Sequence, residues 1–218
     1  MRPSISVLAM PRLFVFPGMG ATSEMYADLS RHVSDAKYCN WPPHDGCLDF
    51  GDYAQKCILT YGISRNDVMA GSSMGGMIAA EISAQLGNDT LLLIGSCLQP
   101  KCVPFHRLTN AASFLLGDGA ISLIGTKGRF SLLAKMAKQS GAPFIRWGLQ
   151  ALYRWNGVNL SRLRTVRSIH GCLDPIIPVF LVKPDERIAT GGHFIAMTHA
   201  RRVGRFVNDS LCLARRQG

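Results

Sequence analysis

Asp67-Val68-Met69-Ala70-Gly71-Ser72-Ser73-Met74-Gly75-Gly76 runs from an apolar strand into a glycine-rich turn, and a helical pattern follows it. Ile78, Ile82 and Leu86 recur four apart and Gly87 stops the run, so the helix reads from Met77. The turn fits G-x-S-x-G with Ser73 at its centre. Alone that pattern is weak, because glycine-rich turns after strands are common. Its setting is the stronger signal: a strand before, a helix after, and glycines where a Cβ would crowd a sharp reversal. A serine held there stands above the end of its strand, near the positive end of the following helix.

Upstream, Leu13-Phe14-Val15-Phe16 is a short apolar run stopped by Pro17-Gly18-Met19-Gly20, and it reads as a buried strand ending in a turn. Thr22 or Ser23 is placed to cap a helix with Met25, Leu29 and Val33 on one face. Lys37–Trp41 reads as a strand closed by Pro42-Pro43, and Tyr53–Tyr61 as a helix ending at Gly62. Thr90–Gly95 is an unbroken apolar strand of the kind buried on both faces of a parallel sheet. Arg167–Gly171 and Val179–Val182 read as further strands, and Phe194 to about Leu213 as a closing helix. Strands alternating with helices predict an α/β layer fold with a mostly parallel sheet.

Residues from about 98 to 164 break the alternation. They are helix-like and rich in large apolar side chains, among them Phe105, Phe114, Leu115, Leu116, Phe130, Leu132, Leu133, Phe144, Trp147, Leu152 and Trp155. The stretch reads as a helical insertion rather than a domain of its own. Its side chains either pack the insertion onto the sheet or line an acyl or alkyl pocket.

A neutral serine is a poor nucleophile without an oriented base. Asp174 follows Ile169-His170-Gly171-Cys172-Leu173, and His193 follows Gly191-Gly192. Both fall in loops after predicted strands, where open parallel sheets present ligand groups. In such a set His193 takes the proton of Ser73, and Asp174 holds the imidazole tautomer. Asp185 and Glu186 are rivals for the acid, but the glycine-led turn and flanking prolines favour Asp174. His170 reads as a packed strand-end residue. His32, His44, His106 and His199 show no metal-binding pattern.

With these residues quoted, the chain resembles the α/β-hydrolase superfamily over nearly its whole length. Phe16–Gly20 resembles the loop after that family's third strand, and Gly71–Gly76 resembles its nucleophile elbow. His170–Asp174, with Pro178 four residues on, resembles its acid loop, and Gly191–Phe194 its histidine loop. The resemblance implies a single α/β-hydrolase domain over 1–218, shortened at the amino-terminal edge of the sheet, with a helical cap or lid at about 98–164. It also implies an oxyanion hole built from the backbone N–H groups of Met19 and Met74. Pro17 and Ser72 stand where many members carry histidine, and only 19 residues separate Asp174 from His193.

Composition narrows the function classes. The 218 residues are 47% hydrophobic and 17% charged, which excludes a disordered chain. No apolar run approaches the ~20 residues of a membrane span. Seven scattered cysteines without a CxxC pair read as free thiols in a reducing, cytoplasmic compartment rather than as a zinc cluster. The first ten residues run into Pro11-Arg12 without a cleavage site and do not read as a secretory signal.

The net charge of +10 lies mostly beyond residue 100, with Arg146, Arg154, Arg162, Arg164 and Arg167 in one stretch. No nucleic-acid motif accompanies it, so it reads as a solvated basic face or a field that steers an anionic substrate. The overall reading is a serine hydrolase that cleaves a small carboxylic ester through an acyl-enzyme intermediate, with no cofactor or metal. The alternatives are an acyl thioesterase on an anionic thioester and a non-catalytic ligand-binding protein on the same scaffold. Amide or carbon–carbon cleavage by the same triad stays open, as does the oligomeric state.

Overall fold

The structure, a computed structural model, describes residues 11–104, 106–110 and 130–217. The expectations for residues 1–10, Phe105, Phe114, Leu115 and Leu116 lie outside the described residues, as do those for the side chains of Phe130, Leu132 and Leu133.

Six strands form one sheet in the order β2-β1-β3-β4-β5-β6, every neighbouring pair parallel. They are β1 (Leu13–Phe16), β2 (Ala36–Tyr38), β3 (Val68–Ser72), β4 (Thr90–Ile94), β5 (Thr165–Gly171) and β6 (Glu186–Ile188). Every residue of β1, β3 and β4 is buried, because helices cover both faces of these strands. The register sets Phe16 beside Gly71, Ser72 beside Ile94, Ile94 beside Ile169 and Gly171 beside Ile188. The loops leaving β1, β3, β5 and β6 therefore open at one edge.

One face carries α1 (Phe50–Tyr61) and α2 (Met74–Leu86), whose Phe50, Tyr53, Ile78 and Ile82 pack with Phe14, Phe16, Leu91 and Leu93. Asp49 caps α1 by accepting from the Asp52 N–H, and Gly62 at φ 59° ends it. α2 begins at Met74, three residues before the apolar period becomes visible at Met77.

Between β4 and β5 lies α3 (Phe130–Arg154), interrupted at Gly141 (φ 76°) just before Pro143. Phe144, Trp147 and Leu152 on its second half, with Trp155 just beyond, are buried in the same core as α1 and α2. Trp147 and Tyr53 have ring centroids 4.6 Å apart. Of the two uses foreseen for these aromatic residues, packing onto the body of the fold is the one observed.

Beyond β5 come α4 (Val179–Val182), α5 (Ile195–Thr198) and α6 (Ala200–Gln217). α6 covers the second face, burying Val203, Phe206 and Val207 against Leu13, Val15, Leu92 and Ile169. Each such side chain contributes about 1.5–3 kcal/mol of hydrophobic stabilisation relative to exposure.

Three expectations are corrected. Val179–Val182 is a helical turn, not a strand: Pro178 at φ −58° starts it, Lys183 at φ 46° ends it, and Phe180 is 73% exposed. The strand in this region is β6. The helix foreseen around Met25, Leu29 and Val33 is a pair of 3₁₀ turns, Ser23–Tyr26 and Leu29–Arg31. All three apolar residues are buried as their spacing predicts, but Thr22 and Ser30 bond to nearby backbone and compete with a continuous helix. The closing helix is broken at His199 into α5 and α6.

Candidate active site

Ser73 sits at the junction of β3 and α2 with φ 53° and ψ −125°, a left-handed conformation that a non-glycine residue rarely adopts. Such a conformation costs about 1–3 kcal/mol and persists only where the surroundings hold it. They do: the Ser73 N–H donates to Ile94 O at 3.3 Å, and Ser96 Oγ donates to Ser73 O at 2.6 Å. The turn also needs its glycines. A Cβ on Gly75 would come within 2.2 Å of the carbonyl oxygens of Phe16 and Pro17, so only glycine lets the β1 loop lie against the elbow.

His193 reaches Ser73 from the loop after β6. Its Nε2 lies 2.9 Å from Ser73 Oγ and its Nδ1 lies 2.8 Å from Asp174 Oδ2. Asp174 comes from the loop after β5, which is stitched to the histidine loop by Cys172 N–H donating to Ile188 O and Leu173 N–H donating to Gly191 O. Here too a glycine permits close approach, since a Cβ on Gly171 would meet Gly192 O at 2.3 Å. Asp174 Oδ1 accepts the N–H groups of Ile176 and Ile177 at 2.8 and 2.9 Å, which fixes the carboxylate plane. Burial pushes this carboxyl's pKa up. Bonds from His170 and His193, the His193 charge and the Ile177 N–H outweigh burial and hold it well below the usual carboxylate range.

The rivals for the acid are engaged elsewhere. Asp185 Oδ2 accepts from Ser168 N–H at 2.7 Å, and Glu186 pairs with Arg202 at 3.0 Å. Among the described residues, no group of three or more His, Cys, Asp or Glu side chains is placed to hold a metal ion. No described helix is long and apolar enough to cross a membrane. Cys39 is buried, and burial pushes its thiol up to about 12, so it packs as a small apolar group.

Met74 is the first residue of α2, where backbone N–H groups lack partners within the helix. Met19 follows Gly18, and a Cβ built on Gly18 would lie 3.6 Å from Ser73 Cβ. The two foreseen oxyanion donors thus belong to segments that meet at Ser73.

Two supports were not foreseen. His170 is buried with Nε2 3.1 Å from Asp174 Oδ2; its position four residues before the acid was the available signal. Tyr26 Oη donates to Phe16 O at 2.6 Å and lies 3.0 Å from Ser72 Oγ, buttressing the elbow from behind. No feature of the sequence around Tyr26 marks that role.

No family model matches the sequence, and no curated protein matches it. Solved structures do match by shape. A lipase-esterase related protein from Clostridium acetobutylicum superposes with TM-score 0.69 at 15% identity, covering 93% of this chain and 95% of its own. A thermophilic esterase from Thermogutta terrifontis gives 0.69 at 14% identity, over 91% and 88% of the two chains. The RedJ thioesterase of the prodiginine pathway in Streptomyces coelicolor gives 0.63 at 19%, over 93% and 91%. This chain has the α/β-hydrolase fold. At these identities the likeness is one of architecture, and within the α/β-hydrolase fold the chain's own residues must carry any argument about chemistry.

Proposed function

We propose that the protein is a serine hydrolase that cleaves a carboxylic ester through an acyl-enzyme intermediate. The observation that carries this reading is the His193 imidazole bridging Ser73 Oγ and Asp174 Oδ2 at 2.9 and 2.8 Å. Ser73 Oγ attacks the ester carbonyl carbon while His193 Nε2 takes its proton, and Asp174 stabilises the imidazolium. The N–H groups of Met19 and Met74 stabilise the oxyanion of the tetrahedral adduct. Collapse breaks the C–O bond, and the alcohol leaves with the proton from His193. Water, deprotonated by the same nitrogen, then attacks the acyl-Ser73 ester, and the product leaves as the carboxylic acid while Ser73 recovers its proton; the acid then ionises in solvent. Each proton is returned, so the cycle consumes only ester and water. The esterase and lipase names among proteins of the same fold favour an ester as the substrate class.

A pure binding role is disfavoured by the strain at Ser73, for which recognition alone has no use. Stoichiometric labelling of Ser73 by a fluorophosphonate, with turnover of an aryl ester, tests the proposal. Absence of both overturns it.

An anionic thioester stands second. Part of its argument weakens, because Arg164 pairs with Asp89 at 2.9 Å at the amino ends of β4 and β5, away from Ser73. Comparing an aryl ester with an acyl-CoA of equal acyl length across ionic strength decides it. Screening shortens from ~10 Å at 0.1 M to ~3 Å at 1 M, so steering predicts a selective loss for the anion.

A further inference from the structure

We propose that Trp41 is a positioning residue for the oxyanion hole: its indole fixes and polarises the peptide group that presents the Met19 N–H. This rests on the reading of Met19 as an oxyanion donor. Trp41 Nε1 donates to Gly18 O at 3.1 Å, and the Ala21 N–H donates to the same oxygen at 3.0 Å. The Gly18 carbonyl and the Met19 N–H are the two ends of one peptide unit. Among the described residues every peptide is trans, so the C=O and N–H of that unit point in opposite directions in one plane. Donors that pin the oxygen therefore fix the direction of the N–H. They also draw charge toward the oxygen, which makes the N–H a stronger donor by the cooperativity of linked hydrogen bonds.

The indole is itself held on three sides. It stacks on Phe16, with centroids 5.9 Å apart and 25° between planes, and packs at 5.7 Å from both Tyr53 and Phe144. Phe16 ends β1, Tyr53 belongs to α1 and Phe144 to α3, so three elements converge on this ring. α3 touches the Met19 side chain as well, since a Cβ on Gly148 would come within 3.1 Å of Met19 Cε. The helix thus braces the peptide through both its neighbours, by way of Trp41 on the Gly18 side and Gly148 on the Met19 side.

An aromatic ring that only filled space would serve equally well without its N–H. Trp41→Phe keeps a ring in the cluster and deletes the donor. Replacing residue 41 by 3-benzothienylalanine keeps the indole shape and puts sulfur in place of N–H. Removing an oxyanion donor outright costs about 10²–10³ in kcat, so loss of this indirect support should cost roughly 5- to 20-fold in kcat with KM within about twofold. Affinity for an arylboronic acid, whose adduct with Ser73 mimics the tetrahedral state, should fall by the same factor, while circular dichroism melts stay close to the parent. Unchanged kcat and boronate affinity in either folded variant overturns the proposal. A parent chain that neither labels with fluorophosphonate nor turns over esters overturns instead the site reading beneath it.

Discussion

His170 and His193 approach the same carboxylate oxygen: Asp174 Oδ2 lies 3.1 Å from Nε2 of the first and 2.8 Å from Nδ1 of the second. His170 Nε2 is also 2.7 Å from the Ile177 carbonyl, which can only accept, so that nitrogen carries a proton. Its Nδ1 is buried with no hydrogen-bond partner among the described residues, so a second proton there would be a donor without an acceptor. His193 therefore shares its acceptor with a second, enclosed imidazole.

That sharing predicts a pH effect. In His170→Leu, Asp174 Oδ2 loses a competing donor and binds the His193 Nδ1–H more strongly, which favours the imidazolium. The acid limb of kcat/KM should therefore move to higher pH. His170→Gln retains a donor and should restore the parent profile. A limb that stays put in the leucine variant rejects the argument.

Ser73 and Ser72 separate cleanly. Ser73→Ala should lower kcat by roughly 10⁴–10⁶ with the fold intact, because the three residues act as a unit. Ser72→Ala loses the contact with Tyr26 and should cost about 1 kcal/mol of stability, with less than about tenfold in kcat/KM. Fluorophosphonate labelling that survives in Ser73→Ala and vanishes in Ser72→Ala would reverse the assignment.

Asp174→Asn should reduce kcat by about 10³–10⁴, since an amide holds the imidazole in the wrong tautomer. Asp185→Asn should leave kcat near the parent value, because Asp185 serves Ser168 rather than His193. Steady-state kinetics on the two variants is sufficient, and a loss confined to Asp185→Asn would contradict the geometry.

Asp67 offers a stability test away from the chemistry. Burial pushes its carboxyl up, but bonds from Arg12 and Ser64 prevail and its pKa lies below the ordinary value. A depressed folded pKa means the carboxylate stabilises the fold above its unfolded pKa, about 3.9, and that this contribution fades as the pH falls below it. Asp67→Asn should therefore lower Tm most at pH 7, with the gap to the parent narrowing at pH 3. Arg12 is about half exposed, which keeps the effect to the order of 1 kcal/mol. A gap that widens in acid would refute the assignment.

Much of this arrangement is legible in sequence, for identifiable reasons. β1, β4 and the end of α1 are apolar runs bounded by glycine or proline, so local signals and tertiary burial agree. Ser73, Asp174 and His193 are visible because each follows a strand at a glycine-marked turn. β6 is not: Glu-Arg-Ile buries only Ile188 and shows no period. Val179–Val182 misleads in the opposite sense, since four consecutive apolar residues suit a strand or a helix equally. His170, Tyr26 and Trp41 depend on which carbonyl or carboxylate faces them across a loop, and no periodicity encodes that.

The parallel sheet also keeps two sets of contacts at opposite ends. Among the described residues, the loops that bring Gly18, Ser96 and His193 to Ser73 follow β1, β4 and β6 at their carboxyl ends. At the amino ends Arg12 grips Asp67, and Asn88 Nδ2 lies 2.8 Å from the carbonyls of Ser64, Arg65 and Asp67. Mutations in the loops around Ser73 need not disturb these polar locks, and repairs to the locks need not touch those loops. Substitutions in the loops at one end can thus be offset by added stability at the other.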